Sequence, residues 1–444
     1  MSKKHPTHLR GERGQAFAER VRGVPLDRIL CVSLDIGKYF HVAMIHNGLG
    51  EIITPIFEVD MFQRGYAMLC QEIEKAKART QAQTVWVGME PTSHYFENLA
   101  RQLLNGGYAV TLENSFAVKQ NRDQQMMQRE KTDQIDAAAI GDLLRRGEGT
   151  PYRPLQGLYL RLQQLDRVRL SKLKIERMLK NQIIGHLDRI FPGLVVYGAE
   201  AKGRYQALFG SDFWDSQTLQ HLIRVCPDPH QLAKMQPEEL IQAFHEQKYR
   251  MGGETAAHII AYAKTILLPD PELVAIRIEL MKHDLELLDQ VHAHVAALEE
   301  QERQLLPQTP YQILTRLKGL GAIQVASLAA AVGDPTTYAC ASQVFRRSGL
   351  VSGRNDSGSR QKKGKGKKIV KTGDVYLRRI LTNLVISLGL HQPVLGRYYQ
   401  KLNRSKPDGV ARVATARKMT HILWAVVRDQ RSQSLIFKEK ETYM

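Results

Sequence analysis

The stretch REKTDQIDAAAIGDLLRRG, residues 129–147, holds two carboxylates, Asp133 and Asp136, three positions apart. On a helix that spacing puts both on one face, where like charges repel. Two more acids stand at the ends of strand-like runs: Asp35 in RILCVSLDI and Glu90 in TVWVGME. Adjacent strand ends of an open sheet lie close together, and a helix packed on the sheet can aim one face at them. The four acids are therefore expected to converge on one point. Such a cluster is electrostatically intolerable without a cation. Hard oxygen donors suit Mg²⁺ or Mn²⁺, and two such ions about 4 Å apart activate and clamp the oxygens of a phosphodiester in transfer. Taken singly, each acid also has a structural reading. Asp133 can be an N-cap and Asp136 a first-turn acid favoured by the helix dipole, and Glu90, before Pro91, a solvated strand end. The argument for chemistry is the set of four in a basic chain.

Those acids need a scaffold, and the sequence from about residue 29 supplies one. RILCVSLDI reads as a buried strand. YFHVAMIHNGLGEIITPIFEV reads as two strands joined by the turn-former NGLG. A helical run, the strand TVWVGME, the helix YFENLARQLLNGG and the strand YAVTLEN follow. Hairpins followed by α/β crossovers predict a mixed five-stranded sheet. From about residue 155 the strand signal disappears, and Leu, Ile and Val recur at three- and four-residue steps among Arg and Lys. That is an amphipathic helix long enough for half a coiled-coil pair. Residues 204–268 read as a smaller helical insertion without chemistry, and 271–306 as a second long amphipathic helix. The two long helices are expected to pair as antiparallel arms or to dimerise across chains. His283, His292 and His294 on the second read as solvated or interfacial residues. The expected division is a basic, flexible arm over 1–27, an α/β domain over 28–150, a helical connector over 151–308, a mainly α C-terminal domain over 309–430, and a tail over 431–444.

The charge names the partner class. Sixty-three Lys and Arg against 45 Asp and Glu leave a formal net charge of +18, with a pI near 9.7, which points to a polyanion, nucleic acid first. No apolar run approaches the roughly 20 residues that span a bilayer, and the basic N-terminus lacks the apolar core of a secretory signal. A cytoplasmic protein with no membrane partner is expected. The four cysteines are scattered, which argues against structural zinc and a disulfide framework. Near residue 318, LKGLGAIQVASLAAAVGDP places Lys318, Gly319 and Gly321 in a tight turn between two helices, like a helix-hairpin-helix whose backbone N–H groups face a phosphate. An ordinary helical hairpin with glycines at a close crossing is the structural alternative. A basic run follows, with Arg360, Lys362, Lys363, Lys365, Lys367, Lys368, Lys371, Arg378 and Arg379 against the single acid Asp374. It reads as a flexible loop making phosphate contacts, each worth about 0.9 in the slope of log K against log salt.

SLDIGKYFHVAMI, VGMEPTSHYFENLA and KTDQIDAAAIGDLL together resemble the DEDD signature of the IS110 insertion-sequence transposases. The segment from LKGLGAIQ through VFRRSGLVSGRNDSGS to KTGDVYLRRIL is similar to that family's C-terminal transposase domain. The resemblance covers about 28–150 and 310–430. It implies a RuvC-like ribonuclease H fold for the first domain, with Asp35, Glu90, Asp133 and Asp136 as ligands of two Mg²⁺ ions (Mn²⁺ as a substitute). It also implies that Ser357, in NDSGS, is the nucleophile that forms a 5′-phosphoserine and releases a 3′-OH. Ser348, Ser352 and Ser359 lie close by, and composition alone does not separate them from Ser357. The resemblance further implies donor and target DNA as substrates, a noncoding bridge RNA as guide, assembly as dimers pairing into a tetramer, and a bacterial, nucleoid-associated site of action. Two other readings compete: a structure-specific nuclease that hydrolyses branched DNA with water, and a non-catalytic nucleic-acid scaffold.

Overall fold

A computed structural model describes residues 11–125, 132–194, 208, 213–351 and 373–430. The chain divides into two compact units, Met1–Leu155 and Gln156–Met444.

The first unit is built on a sheet with strands β1 (Ile29–Ile36), β2 (Phe40–Asn47), β3 (Ile52–Asp60), β4 (Thr84–Met89), β5 (Ala109–Leu112) and β6 (Thr150–Pro151), in the order β3-β2-β1-β4-β5-β6. β2 runs antiparallel to β1 and β3, while β1, β4 and β5 are parallel. The first five strands have the arrangement of a ribonuclease H sheet. The sixth corrects the five-strand expectation: it is two residues long, pairs antiparallel with β5, and is too short to leave a periodic trace. Asn47 shapes the β2–β3 turn, where its side-chain oxygen accepts the N–H groups of Leu49 and Glu51 at 3.1 and 2.9 Å.

β1 is buried on both faces because both are covered. Leu30, Val32, Leu34 and Ile36 pack against Leu69, Ile73 and Ala76 of α2 (Gln63–Thr80) and Leu99, Ala100 and Leu103 of α3 (Phe96–Asn105). The alternate set, Cys31, Ser33 and Asp35, faces the other way, towards α5 (Asp133–Arg145). The expected flexible arm also needs correcting over its described part. Residues Gly11–Arg20 form a helix, and Phe17 meets Trp86 edge-on at 5.0 Å between ring centroids, which buries an apolar face that a basic composition conceals.

The second unit is helical. Its two longest helices, Gly157–Ile190 and Pro271–Leu305, run antiparallel. Arg169 meets Glu302, Glu176 meets His292 and His186 meets Asp284, each at 3.4 Å, so numbers rise on one helix as they fall on the other. Leu179, Ile183 and Leu187 share a core with Met281, Leu285 and Leu288, and Leu222, Leu240, Phe244 and Ile260 of the inserted helices extend it. At the other end of the pair, Leu162, Leu305 and Leu306 join the core of the C-terminal helices. Among the described residues no helix is long and apolar enough to cross a membrane.

A buried ionic knot ties the long helices to the C-terminal ones. Asp166 is fully buried. It accepts hydrogen bonds from Arg169, from the Tyr376 hydroxyl, and from the Ser327 hydroxyl at 2.7 Å. The Arg169 guanidinium also bonds Ser327 at 2.9 Å and faces Glu302. Burial pushes the Glu302 carboxyl up to about 7, against the pull of Arg169 and with help from Asp166.

Candidate active site

Strand register places the first two acids. In the parallel β1–β4 ladder Leu34 pairs with Met89, and the Glu90 N–H approaches the Leu34 carbonyl at 3.4 Å. One step further along, Asp35 and Glu90 stand side by side at the C-terminal ends of neighbouring strands. Asp35 is in phase with Cys31 and Ser33, and Glu90 with Trp86 and Gly88, so both project to the α5 face. Both are half-buried.

The other two acids ride on α5, and small residues decide where that helix lies. Its buried side is Asp136, Ala137, Ala139, Ile140, Gly141, Leu143 and Leu144. A side chain at Gly141 would collide with the His46 ring and come within 3.2 Å of the Ser33 hydroxyl, and one at Gly88 would meet Leu144 at 2.9 Å. Those two glycines let α5 lie close on the sheet. Leu144 packs with Cys31 and Trp86, and Gly141 lies over Ser33, so α5 runs opposite to β1. Its N-terminus is directed towards the sheet end that carries Asp35 and Glu90. Thr132 is the N-cap, accepting the Ile135 N–H at 3.3 Å. The capping reading of Asp133 therefore passes to its neighbour, and Asp133 is the exposed first residue of the helix.

Asp136 is different. It is buried, and its Oδ1 accepts a hydrogen bond from Arg122 Nη1 at 2.6 Å. The pair holds Arg122 more firmly protonated than usual, chiefly through that hydrogen bond. The expected convergence on one point is accordingly incomplete: the acids share one end of one face, but among the described residues no three His, Cys, Asp or Glu are grouped closely enough to hold a metal. The donors fit a hard divalent cation in type, and Asp35 and Glu90 fit in placement, while Asp136 already has a guanidinium as counter-ion. Sequence reading missed Arg122. It lies 14 residues before Asp136, and no local spacing links the two.

Ser357, Arg360, Lys362, Lys363, Lys365, Lys367, Lys368 and Lys371 lie outside the described residues, as do Ser352 and Ser359. Their flanks are pinned together. Asp374 donates its N–H to the Arg347 carbonyl at 2.7 Å, and Arg378 donates to the carbonyls of Ser348 and Gly373 at 2.9 and 3.2 Å. Arg378 is thus engaged in the clamp rather than presented to a phosphate, whereas Arg379 is exposed. Ser348 is buried and donates to the Phe345 carbonyl at 2.6 Å, which removes it as a rival to Ser357.

In the glycine turn, the element before Lys318 is a 3₁₀ helix, Pro310–Arg316, and the one after is Ala322–Val332. Gly319 has a φ of +100°, and a side chain there would strike His391. The Gly321 N–H is taken by the Gln324 side chain at 3.0 Å. Both glycines therefore serve local packing and capping, while Lys318 is exposed.

Comparison with known proteins agrees with this layout. Residues 32–192 match the DEDD transposase model of the IS110 type, and residues 311–400 match a model described as transposase of the IS116/IS110/IS902 family. A probable family 20 transposase of Pseudomonas aeruginosa is 29% identical over 177 residues, which are 38% of this chain and 52% of that protein. The chain thus spans about half the length of this curated relative. The structure of T. thermophilus RuvC in complex with a Holliday junction substrate aligns over 28% of this chain and 99% of its own, at 13% identity and a TM-score of 0.21. A likeness that low carries no weight, and the fold assignment rests on the strand order. With both ends matched by models of one family, the chain belongs to the IS110 family of transposases.

Proposed function

We propose that this protein is the transposase of an insertion sequence, a site-specific recombinase that cuts and rejoins DNA by phosphoryl transfer. The observation that carries the reading is the register of β1 on β4, which sets Asp35 beside Glu90 on the face towards which α5 brings Asp133 and Asp136. These four carboxylates would hold Mg²⁺, or Mn²⁺ in its place. A divalent cation there supplies charge neutralisation at the scissile phosphate and a lower barrier for the departing oxygen. The chain's own part is to position and to attack. Ser357 loses its hydroxyl proton to a carboxylate base and bonds through Oγ to phosphorus. The bond from phosphorus to the 3′ oxygen breaks, and that oxygen takes up a proton from a carboxylic acid or water to leave as a free 3′-OH for strand exchange. A serine hydroxyl needs such activation to be a competent nucleophile.

The net charge of +18 supports a role in holding more than one polyanion. We assign these as donor DNA, target DNA and a bridge RNA whose pairing chooses the sites, which leaves the protein to grip backbone and shape. The basic run from Arg360 to Lys371 would track phosphates, with Lys318 and Arg379 alongside. Leu273, Ile276, Leu280 and Leu287 are exposed along one long helix, and the seven-residue steps from 273 to 280 to 287 support a coiled-coil seam for a second protomer. Dimers would then pair into a tetramer at the bacterial nucleoid. The test is incubation with donor and target DNA, the element's noncoding RNA and Mg²⁺. DNA covalently linked to serine is expected, and Ser357→Ala abolishes the link. DNA cleavage that survives Ser357→Ala with no adduct in the parent protein would favour hydrolysis by a structure-specific nuclease.

A further inference from the structure

Arg122 sits in a single π-helical turn, Asn121–Gln125, immediately after the short helix Ser115–Gln120. Such turns insert one residue into a helix and re-aim its side chains, often at functional sites. Here the aim is fixed from one residue upstream. Asn121 is buried, its Nδ2 donates to the Ala139 carbonyl at 3.0 Å, and its Oδ1 accepts from Arg146 at 2.7 Å. Ala139 is a turn beyond Asp136 on α5, so Arg122 is anchored to the helix whose carboxylate it meets. The contact is a 2.6 Å ion pair in which Arg122 is 14% and Asp136 7% exposed at the side chain. A buried carboxylate needs such a partner. The guanidinium takes Oδ1, and a divalent ion bonded to this carboxylate at about 2.1 Å would bring a second positive charge against it, so the two cations repel and compete for Asp136.

We propose that Arg122 is the resident counter-ion of Asp136, holding this carboxylate out of the metal centre until a divalent cation displaces it. The inference rests on the carboxylate reading given above and adds a regulatory step to it: metal occupancy becomes a competition between an arginine and an ion. The guanidinium thus acts as a positioning group for Asp136.

The experiment is a Mn²⁺ titration of the full chain, followed by the electron paramagnetic resonance of free Mn²⁺, for the parent protein, Arg122→Gln, Arg122→Lys, Lys119→Gln and Asp35→Asn. Arg122→Gln is expected to bind Mn²⁺ tighter by about tenfold to a hundredfold, the range that a charge-assisted, part-buried hydrogen bond carries. Arg122→Lys, with one compact ammonium, should fall between it and the parent, which preserves the test if the Gln variant folds poorly. Lys119 is an exposed cation on the neighbouring helix, and its removal should change affinity by no more than about twofold, as a screened surface charge does. Equal or weaker binding in both Arg122 variants overturns the inference while leaving the metal site standing, and so does an equal gain in Lys119→Gln. Mn²⁺ binding by none of the proteins, or binding that survives Asp35→Asn unchanged, removes the carboxylate site itself and the inference with it.

Discussion

Replacing Glu302 by Gln should stabilise this protein at alkaline pH. Glu302 is fully buried, and its closest approach to Arg169 is 3.4 Å. Neither of its carboxyl oxygens has a hydrogen-bond partner among the described residues. The Nη2 of Arg169 is meanwhile engaged by Asp166 and Ser327, while its Nε lies 3.4 Å from Glu302 without a hydrogen bond. Burial, the dominant cause, raises this carboxyl from 4.5 to about 7. A group raised in this way favours folding below its unfolded value of 4.5, and that stability is lost as pH climbs through about 7. Once ionised, it costs the folded state on the order of 3 kcal/mol at most, and local relaxation trims this to about 1–3 kcal/mol. Glutamine keeps the shape and removes the ionisation. In urea unfolding of the full chain, followed through Trp424 in the adjoining core, Glu302→Gln and the parent should be nearly equal at pH 4.5. Their difference should open to about 1–3 kcal/mol in favour of the variant at pH 8. A variant less stable than the parent at pH 8 would show that Glu302 is ionised and needed by Arg169. A difference that does not vary with pH would refute the titration altogether.

Asp166→Ala, by contrast, strands the Arg169 guanidinium, the Ser327 hydroxyl and the Tyr376 hydroxyl together, and should cost about 3–5 kcal/mol in the same unfolding assay; a loss below 1 kcal/mol would mean the knot is not formed. Gly141→Val pushes two methyl groups against His46 and Ser33. We expect a loss of about 2 kcal/mol by calorimetry, together with weaker Mn²⁺ binding as α5 lifts from the sheet, and a variant that keeps both would place the helix elsewhere.

What could be read in the sequence divides along physical lines. β1 and β4 were visible because strands buried on both faces form short continuous runs of Val, Ile and Leu, and α5 because its small residues keep helical phase. Thr132, the N-cap, stands one position before the acid for which capping was the structural alternative, a shift within the ordinary fraying of helix ends. β6 left no trace because two residues have no period. Arg122 and the knot at Asp166 were hidden for another reason: each is a pairing between distant parts of the chain. A weak sign of the second did exist. Asp166 and Arg169 follow Leu162 at steps of four and three, which puts charge in the apolar stripe of an amphipathic helix, where it must find a partner.

The glycine seat beneath α5 implies that this helix is indexed like a screw in a thread. Inserting one residue between Asp136 and Gly141 would turn both acids by about 100° about the axis and advance them about 1.5 Å. Composition would be preserved and the site lost. An insertion of four would nearly restore the rotation yet overshoot the sheet end by about 6 Å. Drift in length across these few residues is therefore far more damaging than drift in their identity.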